Sequence, residues 1–231
     1  MKPILFNTEM VRAILDGRKT VTRRVVKPKF RPDEASFCVV TNKHTGEFVR
    51  IEYWDEYEEV TRFMPEPYRP GDILYVRETW RRSEIRCDGG AEFFYYSDGA
   101  SDASNKPDTG RMKWRPSIHM PREAARIFLR VTDVRVERLQ EIKEDGAQAE
   151  GLCVGWSSTP KSSKSCSARQ AFMWLWDSTI KPADRERYGW AANPFCWVIE
   201  FEKCEKPVCE RVETFKPKPR FTHIARTAAR T

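Results

Sequence analysis

The run GRKTVTRRVVKP, from Gly17 to Pro28, constrains this chain more than any other stretch. It is bounded by two residues with strong backbone habits. Gly17 suits the left-handed position just past a helix, where a side chain would be strained. Pro28 lacks an N–H donor and so ends regular pairing. The segment before the run, Thr8 to Asp16, reads as a short helix: Thr8 suits the cap, Glu9 the first turn, and Met10, Ala13 and Ile14 recur at helical spacing. Val25 and Val26, near its other end, read as strand. A helix must therefore exit tightly into a strand, with Arg18, Lys19, Arg23, Arg24 and two threonines crowded between them.

That crowding has two readings. One is a solvated turn. The other is an anion-facing site. Lys19 and Thr22 lie three apart, so a turn brings them to one side, whereas a regular strand would place them on opposite faces. A desolvated lysine among other cations loses basicity and can accept a hydroxyl proton, which makes Lys19 and Thr22 a candidate activated pair. Arg23 and Arg24 would crowd that lysine or hold a phosphate. The residue types alone leave both readings open.

The rest of the chain alternates strands with a few short helices, an α+β pattern. Lys2 to Asn7 reads as a strand with Ile4 and Phe6 on one face. Phe37–Val40 and Phe48–Ile51 flank Lys43-His44-Thr45-Gly46 as a hairpin. Ile73 to Thr79 is the clearest strand, and it ends with Arg77 and Glu78 pointing opposite ways. Arg77 is either a ligand contact or half of a rim salt bridge. Trp80 either stacks a base or belongs to the core. Glu92 to Tyr96 reads as a strand, and Trp114 to Pro121, which contains the lone His119, as a rigid extended segment. Ile127 to Leu139 alternates over a long strand, and Gln140 to Glu150 reads as a helix stopped by Gly151. Glu150 then sits in a last turn, where a carboxylate opposes the helix dipole. Phe172, Leu175, Trp176 and Thr179 share one face of a helix over Ala171 to Ile180, and Pro194 to Lys203 is the last strand.

Composition narrows the partners. A net charge of +7 and a pI near 9.1 favour polyanionic partners. Seven cysteines without a CxxC, beside three histidines, give little support to a zinc site. No long apolar run is present, so the expectation is a soluble cytoplasmic protein with free thiols and no membrane partner.

Three segments in order carry a family resemblance: GRKTVTRR after a short helix, Gly71-Asp72-Ile73-Leu74-Tyr75-Val76, and Trp197-Val198-Ile199-Glu200-Phe201. Together they resemble the ASCH domain family, a branch of the PUA-like small β-barrels, with wording nearest to ASCH proteins carried by phages and prophages. The resemblance implies a PUA-like β-barrel flanked by short helices over residues 1–207. Against a minimal barrel of that kind the chain carries insertions at about 29–70 and 81–116; its composition separately predicts a serine- and lysine-rich mobile loop at about 154–169 and a basic disordered tail over 208–231. Some ASCH relatives are amidohydrolases that remove the acetyl group from N4-acetylcytidine with a lysine, a threonine and a glutamate. Carried over, the lysine falls on Lys19, the threonine on Thr22, and the glutamate of an Ala-x-x-Glu pattern on Glu150. Arg23, Arg24, Arg77 and Trp80 are then candidate substrate contacts, with no cofactor and no metal. Because the wider superfamily is mainly known for RNA binding, three functions follow: recognition of RNA or a modified nucleoside, deacylation of an N4-acetylcytidine-type nucleoside, and metal-independent RNA cleavage.

Overall fold

A computed structural model describes residues 1–27, 35–44, 48–55, 62–83, 92–99, 113–152 and 166–207. In chain order the elements are β1 (Lys2–Leu5), α1 (Thr8–Leu15), β2 (Val21–Val25), β3 (Ala35–Thr41), β4 (Phe48–Asp55), β5 (Arg62–Met64), β6 (Ile73–Arg77), β7 (Trp80–Ser83), β8 (Glu92–Tyr95), β9 (Phe128–Arg138), α2 (Glu144–Ala149), α3 (Ala168–Thr179), α4 (Arg185–Tyr188) and β10 (Phe195–Cys204). The fold is α+β. Its centre is a five-stranded mixed sheet in the order β1-β6-β9-β10-β2, in which only the β1–β6 pair is parallel. The strands β3, β4 and β5 form a second sheet, and β7 with β8 a hairpin. No described helix is long and apolar enough to cross a membrane.

The expected closed barrel is not what forms. Among the described residues β1 and β2 stand at the two edges of the sheet with no ladder between them. A side chain bridges them instead: the Arg24 guanidinium donates to the Leu5 carbonyl at 2.6 Å. Both edge strands also line one cavity, so the space where a barrel would close is occupied by a pocket.

Alternation along β10 separates the two cores. Trp197, Ile199 and Phe201 join Ile4, Leu74, Val76, Leu129 and Val131 beneath α1, which contributes Val11 and Ile14. Cys196, on the opposite face, joins Leu139, Ile142 and Ala147 with Phe172 and Trp176 of α3. A third cluster, Trp80, Met120, Ala124 and Phe128, lies against Phe93 and Tyr95 of the β8 strand.

Several boundaries differ from the sequence reading. Asn7, not Thr8, caps α1: its side chain accepts from the Met10 N–H at 2.9 Å. The expected 140–150 helix is shorter. A 3-10 turn over Leu139–Glu141 comes first, with the Glu141 carboxylate accepting from the Arg138 N–H, and α2 follows over only six residues. The segment expected to be extended from Trp114 contains a 3-10 turn at Ser117–His119. The β3–β4 pair matches the expected hairpin, but its tip at 45–47, most of the serine-rich loop (154–165) and the tail (208–231) lie outside the described residues.

Candidate active site

The cavity holds about 230 Å³ and is built from three directions. Leu5, Phe6, Asn7 and Met10 come from the β1–α1 edge, Lys19, Thr22, Arg23 and Arg24 from the run around β2, and Glu150 from the end of α2. The α3 helix closes it with Phe172, Leu175, Trp176 and Thr179. Those four are the residues that helical periodicity places on one face; periodicity marks the face as apolar but not as a pocket wall.

Backbone contacts bring Lys19 to Glu150 before their side chains meet. Arg18 and Lys19 both donate their N–H to the Ala13 carbonyl, at 2.8 and 3.0 Å, which wraps the chain tightly off α1. Gly17 makes the turn at φ 75°. Lys19 then forms an isolated antiparallel bridge with Glu150, and the Thr20 N–H donates to the Ala149 carbonyl at 2.9 Å. Gly151, at φ 94°, permits this approach: a Cβ there would lie 2.7 Å from Ala13 Cβ and 3.1 Å from Lys19 Cβ. The strand β2 begins only at Val21, so Lys19 stands in the turn and escapes the alternation that would set it opposite Thr22.

Lys19 Nζ donates to Glu150 Oε2 at 2.5 Å, to the Val21 carbonyl at 2.8 Å and to the Glu150 carbonyl at 3.1 Å. Three acceptors match the three protons of an ammonium. The side chains of Lys19 and Glu150 are 1% and 6% exposed, so the pair sits out of water. Burial pushes the Lys19 pKa down. The Glu150 charge and hydrogen bond oppose that shift, and Arg24 and Arg23 add to it.

Thr22 pairs with Ile199 and shares its face of β2 with Arg24. Arg24 is exposed at the rim, with its guanidinium 5.5 Å from the centre of the Phe6 ring. Lys19 Nζ lies 5.6 Å from the same ring, so Phe6 has a buried and an exposed cation close to it. Arg23 faces the other side of β2 and contacts Glu150 Oε1 at 3.4 Å and Glu137 Oε2 at 3.2 Å.

Of the seven expected site residues, Lys19, Thr22, Arg23, Arg24 and Glu150 line this cavity, while Arg77 and Trp80 do not. Arg77 donates Nε to the Met120 carbonyl at 3.0 Å and Nη2 to the Ile118 carbonyl, so it ties the end of β6 to the 118–120 segment. Trp80 is 3% exposed in the third cluster, with Phe93 against it and Arg115 over its ring. Its faces are taken, and a base cannot stack there without opening the hairpin. His119 is exposed and also lies off the cavity.

The arrangement assembles the parts of an acyl-transfer site: a hydroxyl, an amine of reduced basicity and a carboxyl group, in one aromatic-walled hollow. Among the described residues no group of three or more His, Cys, Asp or Glu is placed to hold a metal ion. Protein-family models, curated proteins and solved structures give no match to this chain.

Proposed function

We propose that the cavity binds the base of an acylated cytidine and hydrolyses its N4-acyl amide, as the resemblance to ASCH amidohydrolases implies. The observation that carries this reading is the 2.5 Å contact between Lys19 Nζ and Glu150 Oε2 in a cavity also lined by Thr22. Phe6, Phe172 and Trp176 offer faces and edges for a planar base.

At rest Lys19 spends every ammonium proton on an acceptor, so its amine becomes basic only when one proton passes to Glu150. Burial favours that neutral pair, because water no longer solvates the two charges. Thr22 Oγ then bonds to the acyl carbon while Lys19 takes the hydroxyl proton. Arg24, two residues along the same strand face, meets the developing oxyanion. The C–N bond breaks as Glu150 gives its proton to the departing cytosine N4, releasing cytidine. The proton on Lys19 passes again to Glu150; water then attacks the Thr22 ester as Lys19 takes its proton, and Glu150 returns a proton to Thr22 Oγ as the carboxylic acid leaves.

The decisive test incubates free N4-acetylcytidine with the wild type and with Lys19→Ala, and follows acetate. Equal amounts of acetate and cytidine from the wild type, and none from the variant, are expected. A second reading, recognition of a modified base within RNA without turnover, draws on the exposed Arg24 at the rim and the net charge of +7. It predicts RNA retention that falls steeply with salt and no acetate release. RNA shortened without added metal would support the nuclease reading instead.

A further inference from the structure

Arg23 has the residue type of a substrate clamp but not the surroundings of one. Its side chain is 4% exposed, and its two terminal nitrogens go to two different carboxylates, Glu150 on α2 and Glu137 on β9. We infer that Arg23 is a positioning residue rather than a ligand contact: held from behind by Glu137, it fixes the Glu150 carboxylate so that Oε2 faces Lys19.

Register explains the arrangement. Arg23 pairs with Val198 on β10, Val198 with Arg135 on β9, and Cys196 with Glu137, so these side chains share one face of the sheet. Glu137 is itself anchored by Arg135 Nε at 2.7 Å, and Arg135 reaches Asp133 at 2.9 Å and Glu200. The signs therefore alternate from the cavity outward: Lys19, Glu150, Arg23, Glu137, Arg135, then two surface acids. Side-chain exposure climbs from 1% at Lys19 to 25% at Glu137 and 35% at Arg135. The row runs from the buried pair to the surface.

Gly146 makes room for it. A Cβ at that position would lie 3.3 Å from Arg23 Nη2 and 3.9 Å from Nη1, so the guanidinium lies against the bare backbone of α2. A glycine inside a six-residue helix weakens it by ~1 kcal/mol relative to alanine, and contact with Arg23 accounts for its presence here. The grip is unequal: Arg23 stands 3.4 Å from Glu150, while Lys19 stands 2.5 Å from it. Glu137 thus tempers how strongly the Arg23 charge acts on the Lys19–Glu150 pair.

The charged groups facing Lys19 are Glu150 from α2 and Arg23 and Arg24 from β2. The other cavity residues, from β1, α1 and α3, carry no ionisable side chain. Behind Arg23, burial pushes the Cys196 thiol up to about 12, so it contributes no charge. Removing the Glu137 charge leaves Arg23 less neutralised and makes Lys19 release its proton more readily. Removing the Arg23 charge does the reverse.

The test is an NMR titration of lysine Cε signals in the full-length protein, with Lys19 assigned by its loss in Lys19→Met. The Lys19 midpoint is expected to fall in Glu137→Gln, to rise in Arg23→Gln, and to return towards wild type in Arg23→Lys. Glu137 is partly exposed, so Glu137→Gln keeps the fold and decides the matter if Arg23→Gln does not fold. An unmoved midpoint in Glu137→Gln overturns the inference. The bearing of Arg23 on turnover rests on the proposed hydrolase, but the titration does not. A wild type that releases no acetate sinks the hydrolase and leaves the titration to decide the role of Arg23. Where acetate is released, the acidic limb of the pH–kcat profile follows the same shifts.

Discussion

Among the described residues two carboxylates are almost sealed from water, Glu78 at 1% and Glu150 at 4% exposure. Both are met by an arginine, yet they serve different ends. Glu78 binds Arg126 through both oxygens, at 3.0 and 3.2 Å, and accepts the Ser97 hydroxyl at 2.5 Å. Arg126 continues to Asp98 at 2.7 Å, and the Ser97 carbonyl accepts from Arg12 Nε on α1 at 2.9 Å. Every part of that cluster ties the chain after β6 to the Tyr96–Asp98 turn and to α1. Its cation is an arginine, which keeps its proton at any ordinary pH. Glu150 instead meets a lysine, whose proton can leave, and it does so at the wall of a cavity. Burial and pairing are common to both clusters. At Glu150 the partner is a lysine at a cavity wall.

The largest effect that would sharpen this contrast is on turnover. Thr22→Val and Lys19→Met are each expected to lower kcat/KM for N4-acetylcytidine by about four decades or more, while Glu78→Gln leaves it unchanged. Steady-state acetate release measures all three. Next comes stability. Glu78→Ala removes three hydrogen bonds to a buried carboxylate, two from Arg126 and one from the Ser97 hydroxyl, and costs about 3 kcal/mol although Arg126 keeps Asp98. Urea unfolding should show that loss, with turnover per folded molecule intact. Loss of turnover in Glu78→Ala at full folding would erase the distinction between the clusters. A smaller effect is expected for Gly151→Ala. The new Cβ meets Ala13 at 2.7 Å at a φ of 94°, so the loss is about 1–3 kcal/mol and Lys19 is displaced with it.

The smallest effect is on the pH dependence of folding. The Lys19 pKa lies below its ordinary 10.5 in the folded chain. Between the folded value and 10.5 the unfolded chain binds more protons, so this residue makes stability rise with pH across that window. Lys19→Met should flatten the rise, and Glu78→Gln should leave it in place. Unfolding free energies measured up to pH 10.5 check the sign.

Local pattern made much of the fold legible. Helical spacing marks α1, the left-handed glycine marks its exit, and alternation marks β9 and β10. Those signals depend on neighbours in sequence. Pairing between distant strands does not, and this is why an open sheet with a pocket between its edges was not anticipated. The meeting of Lys19 with Glu150 spans 131 positions, and no period in the chain reports it. It was expected only because an Ala-x-x-Glu pattern resembles that of a known family. Trp80 shows the converse. An aromatic residue after a strand can serve a base but more often a core, and the β7–β8 hairpin decides for the core. Glu137 was missed because a glutamate on a half-exposed strand carries no signal until its register with Arg23 is known.

The most direct measurement quenches a reaction of the wild type with N4-acetylcytidine at early times and looks for an acetyl group by mass spectrometry. The account predicts one acetyl group on the peptide that contains Thr22, decaying as acetate appears and absent in Thr22→Val. Acetate release with no acylated peptide, or an undiminished rate in Thr22→Val, would contradict it.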